Sequence, residues 1–101
     1  MKDFKIITEQ GWTEAIIASN CGFDKFYSAA KILENTFDVN FINKLDGLDS
    51  LYWDFIIDKK RLTLHFDTFA GVSIFPTNLK DATDEENAAI LDIGKNLFDQ
   101  T

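Results

Sequence analysis

Residues 51–76 read LYWDFIIDKKRLTLHFDTFAGVSIFP, and this stretch decides the fold. Apolar residues recur at Leu51, Trp53, Phe55 and Ile57, then at Leu62, Leu64 and Phe66, then at Val72 and Ile74. Period-two spacing puts each set on one face of an extended strand, so the stretch predicts three consecutive antiparallel strands. Tyr52, Asp54, Asp58, Thr63, His65, Asp67 and Ser73 fall on the other face. One block therefore supplies both a core and a candidate surface.

If Asp58-Lys59-Lys60-Arg61 closes the first hairpin, Ile57/Leu62, Phe55/Leu64 and Trp53/Phe66 meet over the core. Slipping this pairing by one residue would set apolar side chains against polar ones. The same register sets Asp58 against Arg61, Asp54 against His65 and Tyr52 against Asp67. The return turn ends in Gly71, suited to positive φ. Pairing Leu64 with Ile74 then brings His65 beside Ser73, so that Asp54, His65 and Ser73 form a row across three strands on a wet, negatively biased surface.

Upstream, Phe4 to Thr8 reads as a short strand with Phe4 and Ile6 on one face, broken at Gln10-Gly11. Thr13 to Ser19 fits either a helical turn or a strand, with a hairpin to the first segment favoured. A helix opens at Gly22, its apolar stripe running through Phe23, Phe26, Tyr27, Ala30, Leu33 and Phe37. Asp38 to Lys44 alternates again, and Leu45 to Ser50 is rich in turn residues. A second helix starts at the capping box Thr83/Glu86, with Asp84 and Glu85 favouring its positive end. Its stripe is Ala89, Ile90, Ile93 and Leu97, widened by Leu91 and Phe98. Residues 1–101 thus form one α+β domain, an antiparallel sheet of about four to six strands with two helices on one face.

Composition bounds the function. A chain of 101 residues, 46% hydrophobic and 27% charged, has the balance of one globular domain. Ten phenylalanines and two tryptophans let a small domain bury a large apolar area. The formal net charge of −7 repels nucleic acid and anionic membrane surfaces and favours basic protein partners. No apolar run spans a bilayer, the N-terminal stretch lacks a secretory core, and the lone Cys21 makes no internal disulfide, so a cytoplasmic address is the expectation.

The aspartate–histidine–serine row raises nucleophilic hydrolysis as an alternative. Against it, Ser73 is mid-strand, with no glycine-rich turn to supply an oxyanion hole. A cross-strand ion pair accounts for the same residues. One histidine and one cysteine make no zinc site, Asp46 and Asp49 lack EF-hand spacing, and no cofactor is implied.

The segments Tyr52-Trp53-Asp54-Phe55, Leu62 to Asp67, Gly71-Val72-Ser73-Ile74 and Phe75-Pro76 resemble those of small single-domain bacterial proteins, some of which are immunity partners of polymorphic toxins. The resemblance implies neutralisation of a partner protein and carries over no site residue. The charge pattern agrees with an acidic, non-catalytic inhibitor of a basic toxin or nuclease. Its expected contact residues are Asp46, Asp49, Tyr52, Asp54, Asp58, His65 and Asp67, with Tyr52 as an aromatic anchor. The other reading is a structural or regulatory subunit that self-associates, as a homodimer for instance, through Phe69, Phe75 or a sheet edge.

Overall fold

The computed structural model describes residues 5–9 and 11–101. In chain order the elements are β1 (Lys5–Glu9), β2 (Trp12–Ala18), α1 (Phe23–Thr36), β3 (Phe41–Asp46), β4 (Ser50–Ile57), β5 (Lys60–Asp67), β6 (Gly71–Pro76) and α2 (Asp84–Gln100). The strands form one six-stranded sheet ordered β1-β2-β6-β5-β4-β3, antiparallel throughout. Both helices cover one face, so the expected α+β architecture stands. Of the segment Thr13 to Ser19, all but Ser19 belongs to strand β2, with Thr13, Ala15 and Ile17 turned into the core. Phe4 lies outside the described residues.

The inner face carries Leu51 and Phe55 from β4, Leu62, Leu64 and Phe66 from β5, and Val72 and Ile74 from β6, all buried. Over β4 and β5 lies α1, whose Phe26 meets the ring of Trp53 edge-on at 5.0 Å. Over β2 and β6 lies α2, burying Ile90, Ile93 and Leu97. Its N-terminus forms the predicted capping box: Glu86 N–H donates to Thr83 Oγ1 at 3.0 Å, and Thr83 N–H donates to Glu86 Oε1 at 2.8 Å. At the far end of α1, Asp38 takes φ 56° and Val39 N–H donates to the Leu33 carbonyl at 3.3 Å, turning the chain into β3.

Two helix stripes need correction. The buried side of α1 is Phe26, Ala29, Ala30 and Leu33, while the expected Phe23 and Tyr27 are 39% and 49% exposed. The helix is rotated so that small Ala29 approaches the sheet, and the two rings lean over its flank onto Phe66 and Trp53. Leu91 on α2 is likewise exposed. The loop expected over Leu45 to Ser50 is shorter, because β3 runs through Asp46 and β4 begins at Ser50.

The β4–β5 register also differs from expectation, by two residues. The observed pairs are Phe55 with Leu62, Trp53 with Leu64 and Leu51 with Phe66, in place of Ile57/Leu62, Phe55/Leu64 and Trp53/Phe66. Alternation selects only the parity of a pairing, and a slip of two keeps every side chain on its face. The turn decides the rest. Asp58 and Lys59 take φ 49° and 66°, the left-handed pair of a two-residue type I′ hairpin, so Lys60 and Arg61 already belong to β5. A lysine is held there in a conformation suited to glycine. Lys59→Gly is therefore expected to stabilise the fold by about 0.5–1 kcal/mol, visible as a higher urea midpoint at unchanged slope.

Candidate protein-binding surface

Among the described residues, no helix lies over the outer face of the sheet. One row of neighbours crosses all its strands: Leu45, Tyr52, His65, Ser73, Ile16 and Lys5. A second row is Asn43, Asp54, Thr63 and Phe75. His65 therefore faces Tyr52, and the two rings stack with centroids 4.4 Å apart, Phe75 leaning on the imidazole from the other side at 5.7 Å. The predicted neighbour relation between His65 and Ser73 holds, with Ser73 Oγ 3.5 Å from His65 Nδ1.

The expected Asp54/His65 pair does not form, and neither does the Tyr52/Asp67 or Asp58/Arg61 pair, for the same two-residue reason. Asp54 faces Thr63, whose hydroxyl donates to Asp54 Oδ1 at 2.7 Å, and Arg61 Nη2 donates to Asp54 Oδ2 at 3.1 Å. Because the single Thr63 hydroxyl hydrogen goes to the carboxylate, the 2.8 Å contact between Thr63 and Thr77 is donated by Thr77. Asp54 is thus bonded away from the imidazole, and the aspartate–histidine–serine row is absent from this geometry.

Nor is the surface uniformly wet. Asp54, Thr63 and Ser73 are only 8%, 3% and 4% exposed. On the central strands, short polar side chains sit below the longer Tyr52, His65, Phe75 and Arg61 on either side, which shield them from water. His65 Nε2 is itself buried, with no hydrogen-bond partner among the described residues. Burial pushes the imidazole below its ordinary 6.5, against the opposing influence of Glu14 and Asp67. The folded state then disfavours the proton that the unfolded chain accepts. Stability from this group is complete above pH 6.5 and falls as pH drops through the lower folded value. Between about pH 7.5 and 5.5, wild-type protein should lose more denaturation free energy than His65→Phe, which keeps the ring stack.

The predicted acidic residues separate into two ends of the sheet. Asp46, Asp49 and Asp67 lie at the end formed by the β3–β4 and β5–β6 turns, which are joined by Thr68 N–H donating to the Asp49 carbonyl at 3.1 Å. Asp46 accepts from the Trp53 indole at 2.7 Å and lies on the helix side of the sheet. Asp67 Oδ1 accepts from the Phe69 and Ala70 amides at 2.7 and 3.2 Å, bracing its turn. Asp58 is at the opposite end, in the β4–β5 turn. The residues that the set omitted are at the tips: Leu48 is 97% exposed and Phe69 91% exposed. Leu48 was legible as an apolar residue between Gly47 and Asp49, in a turn too short to fold back on itself.

Among the described residues, no helix is long and apolar enough to cross a membrane. No curated protein matches the chain. The family described as "Protein of unknown function (DUF3630)" matches residues 6–91, and the chain belongs to that family.

Proposed function

We propose that the protein is a cytoplasmic, non-catalytic protein-binding module of the immunity or inhibitor type, and that it takes a basic partner protein. The observation that carries this reading is the pair of neighbouring hairpin tips that hold Leu48 and Phe69 almost wholly in water beside Asp46, Asp49 and Asp67. Each tip side chain would gain about 2–3 kcal/mol on entering a partner's apolar pocket. The net charge of −7 would steer a cationic partner onto that end.

The test is retention of partners from native lysate by immobilised protein, with low-salt and high-salt washes. Wild-type protein should hold a basic protein that salt releases, and Leu48→Ser combined with Phe69→Ser should lose it by tenfold or more. Both side chains lie outside the core, so the variant keeps its fold. Equal retention by the double variant, or a captured protein indifferent to salt, would sink the reading. The exposure of Phe69 also favours a second reading, self-association. A dimer seen by sedimentation at high concentration, insensitive to salt and abolished by Phe69→Ser, would select it. Phe75 contributes to neither, being half-buried against His65.

A further inference from the structure

At the opposite end from the tips, a groove of about 520 Å³ runs between the β4–β5 turn and the first half of α2, reaching the end of α1. Its floor is apolar, made by Phe37, Ile57, Ala89 and Ile93. Among the α2 residues lining the groove, Ala88 and Ala89 carry only methyl groups, too short to close the gap beside them. Around the floor stand Asp58, Glu85 and Asp92, all exposed. Among the described residues Lys60 is the one basic side chain lining it, and its ammonium is drawn to the Asp58 carbonyl at 3.5 Å. The carboxylates do not converge on a point: among the described residues no cluster of His, Cys, Asp and Glu could hold a metal ion.

An apolar floor with dispersed carboxylates sets two demands on an occupant. A wholly apolar ligand would strip water from acids and give nothing back, and an anion would be repelled. A long basic side chain meets both demands, laying its methylene stem on the floor while its charged head reaches the rim. The space exceeds one such side chain, so neighbouring apolar residues enter with it. We propose that this groove binds a cationic amphipathic segment of a partner protein. Arginine or lysine engages Glu85 and Asp92, and flanking apolar side chains cover Phe37 and Ile57. The site goes beyond the hairpin-tip surface and rests on no residue of it except through the shared acidic field.

The test uses a synthetic peptide of leucine and arginine at helical spacing, titrated into isotope-labelled full-length protein and followed by amide shifts. Shifts should concentrate at residues 57–60 and 88–93. Ala88→Trp fills the groove from an exposed position and should weaken binding at least tenfold. Glu85→Gln with Asp92→Asn should weaken it about tenfold at low salt and much less at high salt. Leu48→Ser with Phe69→Ser should bind the peptide like wild type, which separates this site from the tips. Shifts centred on the tips, wild-type binding by Ala88→Trp, or equal binding of a peptide with glutamate in place of arginine would each overturn the assignment.

Discussion

Phe26→Ala is expected to cost about 3–5 kcal/mol of folding stability, read as a large drop in denaturation midpoint at nearly constant slope. Phe26 is fully buried where α1 meets the sheet, with ring contacts to Trp53 at 5.0 Å and to Phe66 at 6.5 Å. Truncation removes the transfer free energy of a ring and leaves a cavity that two large neighbours cannot fill. Their preferred edge-on arrangement, worth about 0.5–1.5 kcal/mol per pair, goes with it. Against a total of about 5–15 kcal/mol for a domain of this size, the loss is a large fraction. The adjacent Tyr27→Ala, at a position 49% exposed, serves as the control and should cost far less. Similar losses at both positions would mean that α1 is seated differently on the sheet.

Gly71→Ala should be of comparable severity, at about 3 kcal/mol or more, by a different route. Gly71 has φ 89°, a conformation that L side chains rarely adopt. A Cβ there would also run into the carbonyl oxygen of Ala18, with Ser19 Cα only 3.0 Å away. Both obstacles are backbone, so neither can rotate aside, and β6 must separate from β2. Gly11 supplies an internal comparison. Its φ is 90°, yet a Cβ there meets nothing within 4 Å. Gly11→Ala should show the conformational cost alone, about 1–2 kcal/mol, and the difference between the two variants measures the collision. Equal effects would refute the close approach of β2 and β6.

How far the sequence reaches can be judged from particular residues. Alternation between Leu51 and Pro76 correctly assigned inner and outer faces, because the face a strand residue takes depends on parity alone. It could not distinguish registers two residues apart. That choice rested on whether Asp58 and Lys59 accept left-handed φ, which an Asp-Lys pair does not advertise as Asn-Gly would. The slip moved His65 from Asp54 to Tyr52, so the most chemical of the readings was also the most sensitive to it. The capping box at Thr83 was legible because all its partners lie within four residues. Helix rotation was not, and Phe23, Tyr27 and Leu91 were assigned to the wrong side. The neighbourhood of Asp58, Glu85 and Asp92 was hidden for the same reason: it exists only once α2 is set against a hairpin distant in sequence.

The strand order has a consequence for the making of the molecule. The β3–β6 meander is built from consecutive hairpins, so it can assemble while a ribosome is still extending the chain. The β1–β2 hairpin cannot join it so early. Its neighbour is β6, and Asn87 of α2 clasps it twice, accepting from Thr13 N–H at 3.0 Å and donating to the Gly11 carbonyl at 2.8 Å across 74 and 76 residues. An isolated two-stranded ribbon is barely stable in water. β1 and β2, made before the meander, must therefore wait, with Ala15 and Ile17 uncovered, for α2, made after it, to dock. That interval is when the nascent chain is most open to chaperones and to mispairing.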